Sequence, residues 1–307
     1  MSILSLKNVS KRFGKTFAVD HADFEVPKGQ IYGILGPNGA GKTTTLRMVN
    51  NIMIPDEGTI QIMGQPVSQA TQKMVGYLPE ERGLYKKMKV YEQLLYLTRL
   101  KGLSAADSKK SLDYWLDRFE AATWSKKQIG ELSKGMQQKI QFIATIAHDP
   151  DICIFDEPFS GLDPINSELL KKIILELRDN GKSIIFATHR MEQVEQMCDH
   201  ICLFNHGKVV LEGKLDEIKR SFGRNTVQLN FSGNSSFLDE FADVRINNRS
   251  SNFAEIRLLN GKSEQDILRE AIRHVEVQKF DFIQPTLNEI FITTVGEANL
   301  SKDQILA

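Results

Sequence analysis

The sequence has few cysteines and no pattern that would pair them. Three of its 307 residues are cysteines, Cys153, Cys198 and Cys202, and each stands among apolar residues. Cys198 and Cys202 are spaced like half of a metal site, but no second pair completes it. We therefore expect buried, reduced thiols and a protein from a reducing compartment.

An excess of charge of one sign is also missing. The chain has 39 basic and 39 acidic residues, and its isoelectric point is near 7.0. A protein that binds nucleic acid normally carries a basic stripe. The composition therefore predicts no nucleic-acid partner, although a local basic patch is compatible with these totals.

Long apolar runs are absent as well. The first residues, MSILSLKNVSKRF, do not contain the apolar stretch of a signal peptide. No uncharged apolar segment reaches the roughly 18–20 residues that cross a bilayer. We expect a cytosolic protein, and if it works at a membrane, a separate chain must supply the membrane-spanning part.

The length and the order of the patterns predict two domains. Residues 1–222 alternate short apolar strands with helices, which favours a parallel sheet with helices on both faces. Within this domain, residues 88–148 have apolar positions at helical spacing and predict a helical subdomain. A charged stretch ending in SFGRN precedes residues 223–307, which predict a small α+β domain in the order strand, helix, strand, strand, helix, strand.

A glycine-rich loop follows the apolar strand Ile31–Leu35. The segment GPNGAGKT satisfies the phosphate-loop pattern G-x-x-x-x-G-K-[ST] between a predicted strand and a predicted helix. The N–H groups of residues 39–43 would cradle phosphates at the helix N-terminus, Lys42 would reach the β- and γ-phosphates, and Thr43 would bind Mg²⁺. The alternative is a tight glycine turn with a chance lysine. The predicted nucleotide-binding residues of the loop are Gly36, Pro37, Asn38, Gly39, Ala40, Gly41, Lys42, Thr43 and Thr44.

Polar residues end two further predicted strands. In ICIFDEP, Asp156 is predicted to hold Mg²⁺ through water, and Glu157 to activate the attacking water as general base. In IIFATHR, His189 should emerge at the same sheet edge and bind the γ-phosphate. Each alone is compatible with a solvated strand end or a structural histidine. Three strand ends that converge on one edge favour a catalytic site.

These motifs together resemble those of the ATP-binding subunit of an ABC transporter. The resemblance covers about Leu4–Gly213, with the motifs in the order of that family. Phe13 in KRFGK is similar to the aromatic residue that stacks on adenine, LSKGMQQK to the family signature, and SGLD at Ser160–Asp163 to the D-loop. The glycine-rich loop is similar to the Walker A loop, and the strand that ends in Asp156 and Glu157 is similar to the Walker B strand. His189 is similar to the switch histidine.

The resemblance implies an α/β fold of the P-loop NTPase type. It implies a mixed-sheet core, an antiparallel β subdomain and a helical subdomain, followed here by the small α+β domain. It also implies ATP and Mg²⁺ as ligands, with ATP hydrolysis by Glu157, His189 and Lys42.

The family arrangement explains why a second polar motif, LSKGMQQK, follows the phosphate loop. Two such domains bind head to tail, and the signature of one closes over the ATP of the other. Ser133 and Gly135, at the start of a predicted helix, would then hold the partner's γ-phosphate, and Asp163 would join that shared interface. An ordinary helix cap explains Ser133 but not a glycine inside a helix, where it costs about 1 kcal/mol.

The chain departs from the family pattern at three positions. Lys134 and Met136 stand where glycine and glutamine are usual. Lys134 either strengthens ATP capture or points to solvent. Glu80 replaces the Q-loop glutamine; a carboxylate there could bind Mg²⁺ but would repel a γ-phosphate without it.

These residues bear on three possible functions. The first is an ABC transporter ATPase at the cytoplasmic face of a bacterial cell membrane, paired with a permease and with a second copy of itself or a paralogue. The second is a translation or DNA-repair ATPase of the same superfamily, but such chains resemble tandem domains or carry a long coiled coil. The third, a scaffold without catalysis, conflicts with the joint presence of Lys42, Asp156, Glu157 and His189. The tail, with QPTLNEIFI near its end, resembles the accessory domain of bacterial exporter ATPases of the sodium-efflux-like group, which favours export.

Overall fold

The computed structural model describes residues 2–81, 83–222, 226–259 and 261–305, with the side chains of 297–305 left out. The chain has two compact units, Met1–Leu215 and Asp216–Ala307. The sequence analysis placed this boundary later, at 222/223, because the charged stretch has no sharp edge. The first unit ends earlier because its last strand stops at Lys214. Of the predicted linker SFGRN, residues 223–225 lie outside the described part of the chain.

The first unit is built from ten strands and six helices within its described residues. Its strands are β1 (Ser2–Phe13), β2 (Thr16–Pro27), β3 (Ile31–Leu35), β4 (Glu57–Ile62), β5 (Gln65–Pro66), β6 (Val75–Leu78), β7 (Ile152–Asp156), β8 (Ser183–Thr188), β9 (His200–Asn205) and β10 (Lys208–Lys214). Its helices are α1 (Lys42–Val49), α2 (Val90–Leu100), α3 (Ala105–Arg118), α4 (Lys134–Ile146), α5 (Pro164–Asp179) and α6 (Met191–Met197).

Two sheets share the core of this unit. The larger has the order β10-β9-β3-β8-β7-β6, and all neighbours are parallel except β10, which is antiparallel to β9. Every residue of β3, β7 and β8 is buried, as expected for parallel strands covered on both faces. The smaller sheet is antiparallel with the order β2-β1-β4-β5, and its inner residues form one apolar cluster with β3 and α1. The mixed sheet confirms the predicted fold class; strand β10 was missed.

The predicted helical subdomain contains α2, α3 and α4. Ser104 caps α3 by accepting a hydrogen bond from the Asp107 N–H at 3.1 Å, which explains the break between α2 and α3. Ser133 caps α4 in the same way, with the Met136 N–H at 3.3 Å from its hydroxyl oxygen. The buried face of α4 includes Ile140 and Ile143. Residue 133 is therefore fixed at the entry of a packed helix.

Within its described residues, the second unit has a four-stranded antiparallel sheet and three helices, the first of which begins at the unit boundary. Helix α7 (Leu215–Ser221) spans the boundary, and the later elements are β11 (Thr226–Ser232), β12 (Val244–Arg249), β13 (Phe253–Leu258), α8 (Glu264–His274), β14 (Glu276–Ile283) and α9 (Leu287–Ile305). The strand order is β12-β13-β11-β14, and α8 covers one face with Ile267 and Ala271. The first helix expected here is a 3₁₀ turn at Ser235–Glu240. Within the described ranges, no helix of either unit combines the length and the apolar character needed to cross a membrane.

The three cysteines are buried and unpaired, as the sequence predicts. Burial raises the pKa of Cys153 to about 12. These thiols are packing residues of the first unit and stay protonated at neutral pH.

Replacing His148 should reduce the pH dependence of stability of the first unit. Its Nε2 lies 3.3 Å from the Val75 carbonyl oxygen, and its Nδ1 is buried without a partner in the described part of the chain. Burial therefore lowers the pKa of His148 from 6.5 to about 4. The unfolded chain binds a proton between these values that the folded chain excludes, so this contribution to stability is complete above 6.5 and is lost as the pH falls toward 4.

Urea unfolding followed by tryptophan fluorescence measures this effect, because both tryptophans, Trp115 and Trp124, belong to the first unit. The free energy of unfolding of the wild type, relative to that of His148→Gln, should decline by about 1–3 kcal/mol from neutral pH to the lower pKa. This comparison removes the opposing titration of Asp156, which is common to both proteins. His274→Gln in the second unit should show no such change relative to the wild type. A constant difference between the wild type and His148→Gln across this range would exclude His148 as the source.

Candidate active site

The phosphate loop joins β3 to α1 and is packed too closely to carry side chains at two positions. Gly36 has φ 145°, and a Cβ there would lie 2.3 Å from the Phe204 carbonyl oxygen. Gly41 has φ 110°, and its Cβ would lie 2.4 Å from the Ala18 carbonyl oxygen. No side chain fits at such distances, so both positions require glycine. The loop is held between β9 and β2.

Lys42 lies beneath this loop and bonds to its carbonyl groups. Its Nζ donates to the carbonyl oxygens of Gly36 at 2.7 Å and Pro37 at 3.0 Å, and the residue is 6% exposed. Burial lowers the pKa of Lys42, while the nearby carboxylates of Glu157 and Asp156 oppose that shift. The ammonium group is thus held at the centre of the loop, where its electrostatic attraction for an anionic ligand would be strongest.

A hydroxyl and a carboxylate meet beside the lysine. The Thr43 hydroxyl donates to Asp156 Oδ2 at 3.0 Å. Burial, together with the neighbouring Glu80 and Glu157 carboxylates, raises the pKa of Asp156 to about 6 against the opposing hydrogen bond from Thr43. Crowded carboxylates with a hydroxyl form an all-oxygen donor set, which fits Mg²⁺. Among the described residues no three His, Cys, Asp or Glu side chains converge as a complete metal site, so ligand oxygens would have to complete the shell.

Glu157 is held by the end of the neighbouring strand β8. Its Oε2 accepts from the Thr188 hydroxyl at 3.0 Å, and its Oε1 accepts from the His189 N–H at 2.9 Å. His189 Nδ1 is 2.6 Å from the same Oε1, so the acceptor-only carboxylate requires Nδ1 to carry the proton. Glu157 itself has φ 50°, an uncommon conformation for a residue with a side chain. The strained backbone and these hydrogen bonds together fix the orientation of the Glu157 carboxylate.

These groups surround a cavity of about 220 Å³. It is lined by Ala18, Asn38, Gly39, Gly41, Lys42, Thr43, Thr44, Glu80, Asp156 and Glu157. Of the predicted loop residues, Gly36, Pro37 and Ala40 lie outside the lining. The structure therefore brings together loop, lysine and three carboxylates that are far apart in the sequence.

Three further predicted residues, Ser133, Gly135 and Asp163, line a second cavity of about 300 Å³. Its lining consists of Trp124, Ser133, Gly135, Met136, Lys139, Gly161, Asp163 and Asn166. Asp163 caps α5 by accepting from the Asn166 N–H at 2.9 Å. The two cavities have no lining residue in common, so the chain has two separate polar sites.

Gly135 lies in the first turn of α4, at the start of the helix where the sequence places it. A Cβ there would meet nothing closer than 3.8 Å, the distance to Leu162 Cδ2. Glycine is therefore not required by the described packing of this chain. Lys134 is exposed and does not line the cavity, whereas Met136 does.

Phe13 lies apart from both cavities. It ends β1 at the tip of the β1–β2 hairpin and is 53% exposed. The neighbouring Arg12 guanidinium stacks on Phe17 at 3.8 Å from the ring centroid. The ring of Phe13 is thus free to contact a planar group from solution.

Sequence reasoning missed several residues that support the site. Thr188 holds Glu157, Gln138 Nε2 donates to the Pro158 carbonyl at 3.0 Å, and Gln141 Nε2 reaches the Pro79 and Glu81 carbonyls. The available signal was a set of polar residues at helical spacing in a segment whose other face is apolar. Such a pattern does not identify the partner, because the bonded groups are distant in the sequence.

A phosphate loop that leads from a buried parallel strand into a helix, with carboxylates ending the nearby strand, defines a P-loop NTPase. The comparisons with known proteins give the family. Residues 19–160 match the ABC transporter family, and residues 213–295 match the C-terminal domain of DrrA1-3-like ATP-binding proteins.

Relatives and a solved structure agree with these matches. The uncharacterized ABC transporter ATP-binding protein YhaQ of Bacillus subtilis (strain 168) is 44% identical over 294 residues, 96% of this chain and 99% of that protein. Nod factor export ATP-binding protein I of Cupriavidus metallidurans is 37% identical over 220 residues, 71% of this chain and 73% of that protein. A solved structure of an ATP-binding subunit of an ABC transporter has a TM-score of 0.69 at 30% identity, covering 72% of this chain and 94% of its own.

This chain belongs to the family of ABC transporter ATP-binding proteins. It is an ATP-hydrolysing subunit of an ABC transporter, and the predicted family, fold class and enzyme class are confirmed. The translation or DNA-repair alternative has no support from these relatives. Proteins of this family bind nucleotide, work with membrane permeases and dimerise.

Gly36→Ala should disable nucleotide binding for a steric reason. Its Cβ would collide with the Phe204 backbone, so the loop must move. Gly181→Ala is the matched control, because Gly181 also has a positive φ, 84°, but open space around its Cβ. We expect both variants to lose about 1–2 kcal/mol from backbone strain, and only Gly36→Ala to bind a fluorescent ATP analogue at least about tenfold more weakly. Equal affinities in the two variants would contradict the packing argument.

Proposed function

We propose that this subunit hydrolyses MgATP at a site shared between two ATPase chains and thereby drives export through a separate membrane permease. The observation that carries the proposal is the pair of separate cavities. One has phosphate-binding and carboxylate groups; the other has a helix N-terminus with a glycine that its own chain does not require.

In the first cavity, the loop amides and Lys42 bind the phosphates of ATP. Thr43 and Asp156, with Glu80 nearby, would hold Mg²⁺, which would supply positive charge to neutralise the phosphates. Glu157 takes a proton from the attacking water as general base. Thr188 and His189 orient the Glu157 carboxylate. Because Nδ1 of His189 is bonded to Glu157, Nε2 is the ring nitrogen that can bind the γ-phosphate. Phe13, which lies outside the cavity, stacks on the adenine where the nucleotide extends beyond it.

In the second cavity, Ser133 and Gly135 bind the γ-phosphate of ATP held by the other chain. The absence of a side chain at Gly135 lets that phosphate approach the first-turn amides of α4, where the helix dipole favours an anion. Asp163, at the N-terminus of α5, completes the shared interface. The other chain is a second copy or a paralogue, and ATP binding closes the two while hydrolysis reopens them.

The surface of the helical subdomain is proposed to receive the permease. Tyr85 is 59% exposed, Tyr96 51% and Leu100 66%. Exposed aromatic and aliphatic side chains of this size suit a protein partner. Gly83 and Leu84 would join this contact, and the subunit would then work at the cytoplasmic face of a bacterial cell membrane.

Support for export comes from relatives. The name of the Cupriavidus metallidurans relative describes a Nod factor exporter, and the match of residues 213–295 joins this chain to DrrA1-3-like proteins.

The second unit is proposed to pair with its copy in the dimer. Truncation after Arg224 should then weaken ATP-dependent dimerisation in light scattering, and unchanged dimerisation would contradict that role.

Glu157→Gln should separate ATP binding from turnover. The amide keeps the size of the side chain but cannot take the proton, so we expect ATPase activity to fall by about 10²–10⁴-fold while binding persists. Light scattering should show a monomer without MgATP and a dimer with it. Glu240→Gln, an exposed carboxylate of the second unit, is the control with wild-type turnover. Normal hydrolysis by Glu157→Gln would remove Glu157 from the base role.

Mixing two defective variants tests the shared site. In a mixed dimer of Ser133→Arg and Lys42→Ala chains, one composite site has both intact halves and the other has both defects. Neither variant alone should hydrolyse ATP, whereas random pairing should restore about a quarter of wild-type sites. If the mixture stays as inactive as its components, each site is confined to one chain.

A further inference from the structure

Helix α4 has a buried polar stripe beside its apolar face. Gln138, Gln141 and Thr145 are each only 5% exposed, and their spacing of three and four residues places them on one side of the helix. A buried side-chain amide is costly unless it is hydrogen-bonded. The hydrogen-bond partners of these three side chains therefore indicate their role.

The two glutamines bond to backbone next to carboxylates of the first cavity, and Thr145, whose hydroxyl donates mainly to the Gln141 carbonyl of its own helix at 2.9 Å, also approaches β6. Gln138 Nε2 donates to the Pro158 carbonyl oxygen at 3.0 Å, directly after Glu157. Thr145 Oγ1 lies 3.4 Å from the Tyr77 carbonyl oxygen in β6. The stripe thus connects one helix to both segments that carry carboxylates into the cavity.

Gln141 makes the most specific of these connections. Its Nε2 is shared between the carbonyl oxygens of Pro79 at 3.3 Å and Glu81 at 3.4 Å. These are the residues on either side of Glu80, whose side chain lines the cavity. Both bonds are long and therefore weak, so a small movement of α4 can strengthen or break them. The position of the Glu80 backbone consequently depends on the position of the helix.

The other end of the same helix carries the second cavity. Gln141 follows Ser133 by eight residues, which is about 12 Å along an α-helix. A packed helix moves as a rigid element over this distance. A ligand that pulls on the N-terminus of α4 therefore also moves the amide that holds Glu80.

We propose that Gln141 is a positioning residue that couples the two cavities: nucleotide of the other chain, bound at Ser133 and Gly135, sets through Gln141 how well Glu80 holds Mg²⁺ in this chain. This inference rests on the proposed shared site and adds a regulation to it. Coupling between sites is reciprocal, so Mg²⁺ at Glu80 also favours closure on the other chain's nucleotide.

The test measures dimerisation of the full chain rather than turnover. In a Glu157→Gln background at saturating ATP, light scattering follows dimer formation across a Mg²⁺ titration. Gln141→Met keeps the side-chain size and removes the donor. It should raise the Mg²⁺ concentration for half-maximal dimerisation about three- to tenfold.

Gln93→Met is the matched control. Gln93 is fully buried in α2 of the same subdomain, and its amide has no hydrogen-bond partner in the described part of the chain. Its replacement should leave the Mg²⁺ midpoint unchanged. A shift equal to that of Gln141→Met would show that general loosening of the subdomain is responsible, and would overturn the proposal.

A double-mutant cycle with Glu80→Ala identifies the path, because alanine removes every metal-binding oxygen from this side chain. If Gln141 acts through the Glu80 side chain, Gln141→Met should change the midpoint less than about twofold once that side chain is gone. A full additional shift in the Glu80→Ala background would contradict the coupling.

The same titration separates this inference from the function on which it rests. If Glu157→Gln alone forms no dimer at saturating MgATP, the shared site itself fails. If it dimerises and Gln141→Met leaves its Mg²⁺ midpoint unchanged, the shared site stands and only the role of Gln141 is wrong.

Discussion

The structure depends on a backbone contact that leaves no room for side chains. Gly36 and Gly41 lie against carbonyl groups of Phe204 in β9 and Ala18 in β2, and Lys42 bonds the loop from beneath. The same apolar cluster that joins the two sheets contains Phe204. Assembly of the sheets and formation of the phosphate loop are therefore one constraint, since a shift of either strand would open or crush the loop.

Around this loop the charges are arranged for a ligand that carries both signs. Lys42 is buried and loses part of its basicity, while burial and neighbouring carboxylates raise the pKa of Asp156 to about 6. Phosphate oxygens stabilise the first group and a divalent cation stabilises the second. Metal-bound nucleotide supplies both at once. Catalytic geometry is set separately, because Glu157 is oriented by Thr188 and His189 from the neighbouring strand.

The two cavities give one chain both halves of a site that it cannot complete by itself. The helix between them, α4, has Ser133 at its start and Gln138 and Gln141 along its buried side. Its apolar face packs in the subdomain core, while the polar stripe bonds segments beside Glu80 and Glu157. Helix α4 thereby connects the cavity proposed for the other chain's nucleotide with the carboxylates that act on this chain's own nucleotide.

Local patterns in the sequence determined much of this. The bounds of β3, the cap at Ser133 and the strand, loop and helix around Lys42 were predicted, because periodicity and capping involve residues close in the chain. Strand β10, the unit boundary at Leu215 and the polar stripe of α4 were not. Only the tertiary structure decides such features. The Gln141 amide and the Pro79 carbonyl are 62 residues apart, and nothing in either neighbourhood specifies that a folded sheet and a packed helix will bring them within hydrogen-bonding distance.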